Sequence, residues 1–341
     1  MEQSAQKAVV LSGIRATGKM HLGNYLGAIQ HFARLSHDPT KKCFYFIANL
    51  HTLTTWTKPD DLRKYLAGIV LDFVACGVDP QTATIYAQSS VPELGELCWL
   101  LNCLTPVGDL LGMGHYKDKQ EAMKATGEMV SSGLLIYPVL MAADILGPKA
   151  NLVPVGQDQH AHVELARDIA RRFNRLYCEG FFPIPDLLEG PGLRVPGLGA
   201  SGKMGKSDDQ SGVINLDDAP DVVTRKFLVA VTDTARQRRK DPGNPENCNI
   251  FTFHHLISTP DEIVWAQNGC MNAGIGCHDC KLVVAGHVND LLAPIQQKRK
   301  ELEQLGESFV WDLLADGGAF ARNVVGKTVE IVKEKMGVPA Y

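Results

Sequence analysis

The chain has 341 residues, an ordinary composition and 34 Lys and Arg against 38 Asp and Glu, a net charge of −4. At about 100 to 200 residues per domain it has room for two domains, and its acidic balance excludes a general DNA-coating protein, so any nucleic-acid contact must come from local patches. No stretch reaches the roughly 18 uninterrupted apolar residues of a membrane span, and the N-terminus, with Glu2 and Lys7, has no long apolar core, so a cytoplasmic enzyme is expected.

Short apolar runs at 8–11, 43–50, 84–89 and 151–155 are rich in branched or aromatic residues and alternate with long helix-patterned stretches. That alternation predicts an α/β fold with a parallel, Rossmann-like sheet. Helices are predicted over 22–35, from Asp60 to Gly77, and from Gln157 to Asn174, the second with acidic residues at its start and glycine at its end. Between Phe181 and Gly212 proline and glycine dominate, which predicts a long flexible connector. Beyond Asp217 the segments 221–231, 260–267, 280–305 and 318–336 read as helices. The expected division is a catalytic domain over 1–212 and a helical domain over 213–341, with the last helix packing back on the first.

Two short segments carry the clearest chemistry. Thr17-Gly18-Lys19-Met20-His21-Leu22-Gly23-Asn24 follows the first apolar run and opens a helix, as a strand-loop-helix phosphate site does. Lys203-Met204-Gly205-Lys206-Ser207 places two lysines on a small-residue loop inside the connector, where mobile positive charge suits a polyphosphate. His21 can donate to a phosphate oxygen, and Asn24 can cap the helix or touch the nucleotide.

His21-Leu-Gly-Asn24 resembles the His-Ile-Gly-His signature of class I aminoacyl-tRNA synthetases, and Lys203-Met-Gly-Lys-Ser207 resembles their Lys-Met-Ser-Lys-Ser loop. The segments Tyr137-Pro-Val-Leu-Met-Ala-Ala-Asp-Ile-Leu146 and Val153-Pro-Val-Gly-Gln-Asp-Gln159 look like those of the tryptophanyl-tRNA synthetase family, and the likeness extends over nearly the whole chain. It implies activation of L-tryptophan with Mg2+-ATP, transfer to tRNA(Trp) and a homodimer, while the acidic balance and the lack of a long apolar run lead to the expectation of neither DNA nor membrane among the partners.

By that resemblance Lys203, Lys206, Lys119 and His21 serve the phosphates. Arg15, Ala16, Thr17, Gly23, Asn24, Val195, Met204, Gly205 and Ser207 join the ATP site. Gly156, Gln157 and Asp158 meet the adenosine end, with the ribose hydroxyls natural partners for Asp158. Asp144, a carboxylate in an otherwise apolar helical run, accepts the indole N–H. Tyr137, Met141, His51, Val153, Val155 and Gln159 line the pocket or fix the α-amino group. A solvated helix charge is the plainer account of Lys119, and an N-cap or structural carboxylate that of Asp144. Arg15 stands where the family has glutamine, Leu11 where it has an aromatic residue, and Gly205 where it has serine. Tyrosyl-tRNA synthetase and a histidine-motif nucleotidyltransferase or ligase that does not use RNA are the alternatives.

Nine cysteines in a chain without a secretion signal point to free thiols or a metal site. Cys248, Cys270, Cys277 and Cys280 form Cys-x21-Cys-x6-Cys-x2-Cys, a set suited to an Fe–S cluster or tetrahedral Zn2+. Some bacterial members of the family are similar here and hold a [4Fe–4S] cluster. Cys43, Cys76, Cys98, Cys103 and Cys178 are expected to be small core residues. The basic run Arg236-Gln-Arg-Arg-Lys240 is a candidate phosphate contact for tRNA.

Overall fold

A computed structural model describes residues 7–190, 193–199, 202, 204–205 and 210–339. Five strands, β1 (Ala8–Ile14), β2 (Lys41–Ile47), β3 (Ala83–Ala87), β4 (Leu152–Val155) and β5 (Asp186–Glu189), form one sheet in the order β3-β2-β1-β4-β5, every pair parallel. β1 runs beside β2 in register from Ala8 opposite Lys41 to Ile14 opposite Ile47. The winding reverses between β1 and β4, and in such sheets ligands bind outside the carboxyl ends of the strands at that reversal.

The helix after β1 begins as α1 (Leu22–Asn24), widens into a π turn over Tyr25–Ile29 and resumes as α2 (Gln30–Ser36). After β2 come α3 (Asn49–Thr52) and α4 (Pro59–Ala75), the latter started by proline and two aspartates. Between β3 and β4 lie α5 (Glu93–Asn102), α6 (Val107–Gly112), α7 (Gly114–Thr126) and α8 (Ser132–Leu146). α9 (His160–Leu176) follows β4. The C-terminal part is α10 (Pro220–Val229), α11 (Asn249–Ile257), α12 (Pro260–Met271), α13 (Cys277–Glu303) and α14 (Glu307–Lys335).

Sheet residues alternate between two cores, as successive side chains of a strand must. Val10, Tyr45, Ile47 and Ile85 face one, with α4, α10 and α13; Leu11, Phe44, Phe46, Tyr86 and Val153 face the other, with α5, α8 and α9. Burial on both faces explains why these strands read as continuous apolar runs.

α14 crosses the exposed side of edge strand β3. Val310 and Leu314 belong to the first core, Ala321, Val325 and Val329 to the second, and the crossing falls at Gly317 and Gly318. A Cβ on Gly317 would stand 1.9 Å from the carbonyl oxygen of Ile85, so only glycine lets the helix lie on the strand and cover its edge. Gly317→Ala is expected to cost about 1–3 kcal/mol or more through overpacking against backbone. A lowered thermal midpoint in calorimetry checks this; an unchanged one contradicts the close crossing.

The connector expected between Phe181 and Gly212 is not without structure, because it contains β5. That strand is four residues long, preceded by Pro183 and Pro185 and followed by Pro191, and shows no local alternation. Its position comes from pairing with β4 and from Arg167, which donates to Pro185 O at 2.6 Å and to Asp186 Oδ1 at 2.9 Å.

Candidate active site

Beyond Ile14 the chain enters the reversal cleft. Ala16 is fully buried and its N–H donates to Thr52 Oγ1 at 3.1 Å, so it shapes the turn and presents no free donor to a ligand. Thr17 is half-buried. His21 caps α1: its Nδ1 accepts from Asn24 N at 3.2 Å, while Asn24 Oδ1 accepts from His21 N at 3.2 Å. Acceptance at Nδ1 puts the proton of the neutral ring on Nε2.

The lysine loop comes back onto this turn. Leu22 N donates to Ile214 O at 2.8 Å and Leu216 N to Met20 O at 3.0 Å, so the segment leaving the loop runs beside the first motif. Met204 is buried, and its N–H donates to the carbonyl of Val195, itself buried. A Cβ added at Gly23 would lie 3.0 Å from His21 Nδ1 and 3.5 Å from Met204 Cβ. Glycine there leaves room for the His21 ring that caps α1, and the same spot lies within van der Waals reach of Met204, so the two motifs touch. Gly205 is half-buried; Lys203, Lys206 and Ser207 lie outside the described residues.

The opposite end of the cleft holds Asp144, with no exposed surface. His51 Nε2 lies 2.8 Å from Asp144 Oδ2, and the Gln88 amide donates to both carboxylate oxygens at 2.9 Å. Gln88 is also fully buried, and its Oε1 accepts from His51 N at 3.3 Å. A carboxylate has about four acceptor positions. Among the described residues three are used, and one on Oδ1 remains. Burial pushes the Asp144 carboxyl up, opposed by His51 and Gln88.

Tyr137, Met141 and Asp144 share one face of α8 at helical spacing. The Tyr137 ring stands edge-on to His51 at 6.2 Å between centroids, and its hydroxyl is 2.9 Å from His162 Nε2. Lys119, on α7, carries its ammonium 5.3 Å from the Tyr137 ring centre. Arg15 Nη2 donates to His51 O at 3.4 Å. Burial, then the Arg15 guanidinium, holds the Lys119 ammonium below its usual range, and burial lowers Arg15. Among the described residues no carboxylate pairs with Lys119. Two half-buried cations that repel each other form a site an anion relieves.

On the turn after β4, Gly156, Gln157 and Asp158 are exposed, and Gln159 Nε2 donates to Asp158 Oδ2 at 2.8 Å. Val153 is buried behind the pocket in the second core, while Val155 is half-buried.

Sequence reading did not single out Gln88 or His162 as site residues. Each acts through a partner distant in sequence, so no local pattern marks it. Burial first, then His115, Lys119 and His51, push the His162 imidazole down to about 4. Because the unfolded histidine titrates near 6.5, its contribution to stability is complete above that pH and is lost as pH falls towards 4. Between pH 7.5 and 5 the protein should lose about 2 kcal/mol more unfolding free energy than a His162→Gln variant. Urea unfolding at the two pH values checks this; equal losses contradict it.

The four spaced cysteines gather where α11, α12 and α13 meet. Arg236 Nη1 lies 3.8 Å from Cys270 Sγ and 3.9 Å from Cys277 Sγ, and Nη2 donates to Ile275 O at 2.7 Å. His254 Nε2 lies 3.1 Å from Cys280 Sγ. Burial, reinforced by Cys248, Cys270 and Cys277, pushes the Cys280 thiol up to about 12. Among the described residues, no group of three or more His, Cys, Asp or Glu side chains is arranged to hold a metal ion. The first arginine of the basic run thus points into the thiols rather than outward. Of the other five cysteines Cys43 and Cys98 are buried, Cys76 and Cys178 are half-buried, and Cys103 is exposed, so it is not a core residue.

Residues 3–293 match the family of class I tRNA synthetases for W and Y. The chain is 41% identical over 330 residues to a tryptophan–tRNA ligase of Deinococcus radiodurans, covering 96% of this chain and 98% of that one. It is 39% identical over 331 residues to that of Thermotoga maritima, with 96% and 99% covered. Among solved structures, tryptophanyl-tRNA synthetase from Campylobacter jejuni complexed with ADP and tryptophan superposes with a TM-score of 0.83 at 33% identity, covering 96% of this chain and 99% of that one. With a cleft at the sheet reversal, cations at one end and a buried carboxylate at the other, the chain belongs to the class I tryptophanyl-tRNA synthetase family.

Proposed function

We propose that the chain is a tryptophan–tRNA ligase that activates L-tryptophan with ATP and transfers it to tRNA(Trp). The observation that carries this is similarity to tryptophan–tRNA ligases over nearly the full length of both chains. A tryptophan carboxylate oxygen attacks the α-phosphorus of ATP. The bond to the bridging oxygen breaks, and tryptophanyl-adenylate and pyrophosphate result. A hydroxyl of the terminal adenosine of the tRNA then attacks the acyl carbon, and AMP leaves. No protein nucleophile takes part, so catalysis is positioning plus stabilisation of charge on the departing pyrophosphate.

In this reading the indole N–H donates to the remaining acceptor position of Asp144, which His51 and Gln88 hold in place. Met141 and Val155 line the ring pocket, Val153 backs it, and Tyr137 and Gln159 receive the α-ammonium group. Arg15, Lys119 and the His21–Asn24 turn face the phosphates of Mg2+-ATP, joined by Lys203 and Lys206. Gly156, Gln157 and Asp158 meet the ribose. Residues 1–212 form the catalytic domain and 213–341 the helical domain that reads tRNA, with Arg238, Arg239 and Lys240 as phosphate contacts. The assembly is a homodimer in the cytoplasm; among the described residues no helix is long and apolar enough to cross a membrane.

Cys248, Cys270, Cys277 and Cys280 would hold a [4Fe–4S] cluster, which would cross-link three helix termini. The donor set supports this reading: Cys280 feels the other three thiols, and Arg236 and His254 offer N–H groups to three of the sulfurs. Protein purified without oxygen is expected to be brown with four irons per chain, whereas a colourless protein with one zinc makes the site tetrahedral Zn2+. Charging of a tRNA(Trp) transcript tests the activity. Radiolabelled tryptophan should be transferred and tyrosine should not; charging with tyrosine would assign the chain to tyrosine, and adenylate formation without charging would favour an RNA-independent ligase.

A further inference from the structure

We propose that His162 is a positioning residue: its Nε2 accepts a hydrogen bond from the Tyr137 hydroxyl, so that the phenol oxygen presents its lone pairs to the ammonium group of the amino-acid substrate. This rests on the reading of Tyr137 as an ammonium partner and adds the residue that makes it one. Tyr137 lies between the two ends of the cleft, its ring edge-on to His51, which bonds Asp144, and under the Lys119 ammonium. A substrate with its indole at Asp144 and its carboxylate towards the cations has its α-carbon there.

An ammonium group has donors and no acceptor. A phenol that accepts from it must send its own proton elsewhere, and the acceptor within reach is His162 Nε2 at 2.9 Å. His162 is only 1% exposed, so water does not compete for that bond. Its Nδ1 is buried and, among the described residues, has no hydrogen-bond partner, so no second bond there selects the tautomer and the ring can carry its proton on Nδ1, as Tyr137 requires. The His115 ring at 5.4 Å and the neighbouring Lys119 and His51 add positive character that opposes a second ring proton. The acceptor on Nε2 is thereby kept.

The experiment compares L-tryptophan with indole-3-propionate, which lacks the ammonium group, by equilibrium dialysis against the full-length protein. His162→Leu is expected to weaken tryptophan binding about tenfold and indole-3-propionate binding less than twofold. His162→Gln, whose amide oxygen can accept in place of Nε2, should stay within about threefold of the unaltered protein for both. Tyr137→Phe should show the same selective loss, and adding His162→Gln to it should change nothing further. His162→Asn, polar but too short to reach Tyr137, carries the comparison if the leucine variant does not fold. Equal losses for both ligands, or retained preference for tryptophan in His162→Leu and His162→Asn, would overturn the positioning role alone. An unaltered protein that does not prefer tryptophan to indole-3-propionate would overturn the ammonium reading of Tyr137 with it.

Discussion

Asp144→Asn is expected to raise the KM for tryptophan by about ten- to hundredfold while leaving the KM for ATP within about twofold, as follows from hydrogen bonds to a charged group contributing about 1.5–3 kcal/mol. The carboxylate has no exposed surface and, among the described residues, meets donors alone: the His51 imidazole, the Gln88 amide and, in the proposed complex, the indole N–H. An amide in its place offers one acceptor and turns N–H donors towards the Gln88 and indole donors. In that orientation the site holds at least one buried donor without a partner, and in the flipped one the His51 ring must change tautomer to accept from the amide. Steady-state kinetics separates the outcomes. A loss confined to tryptophan supports the indole contact; unchanged kinetics with lowered thermal stability would make Asp144 a structural carboxylate held by His51 and Gln88.

The second large effect concerns the lysine loop. Lys203→Gln and Lys206→Gln are each expected to lower kcat for adenylate formation by about 10²- to 10³-fold, the range seen when a preorganised group that stabilises transition-state charge is removed. Tryptophan binding should be unchanged. Arg15 and Lys119 already place two cations at the phosphate end, but both are part-buried on the cleft wall, and Lys119 is lowered by burial and then by Arg15. Charge accumulating on the departing pyrophosphate therefore calls for cations brought by a separate segment, and Met204 against Gly23 brings that segment to the first motif. Single-turnover measurement of adenylate formation checks this. A rise in the tryptophan Kd with unchanged kcat would move the lysines out of the chemical step.

Four of the five strands were legible because burial on both faces writes a continuous apolar run. β5 was not, because a four-residue edge strand between prolines owes its place to β4 and Arg167 rather than to its own pattern. The helix after β1 was legible as an amphipathic stretch, whereas its π turn over Tyr25–Ile29 leaves no mark in residue spacing. Asp144 stood out as a carboxylate in an apolar run, and His21, Asn24 and the lysines as paired motifs. Gln88 and His162 did not stand out. A glutamine at the end of a strand and a histidine on the buried face of α9 become informative only when Asp144, 56 residues from the first, and Tyr137, 25 residues from the second, are brought to them. The cysteine spacing was legible, while Arg236 read as part of a surface charge run because spacing alone does not say which arginine turns inward.

The cleft between β1 and β4 is proposed to activate tryptophan with ATP. Amino-acid-dependent exchange of radiolabelled pyrophosphate into ATP tests it most directly, since it needs no RNA and reports adenylate formation alone. Exchange driven by L-tryptophan, absent with L-tyrosine and strongly reduced in Asp144→Asn at the same tryptophan concentration, is the predicted result. Exchange driven by tyrosine or by another carboxylic acid, with none from tryptophan, would contradict it.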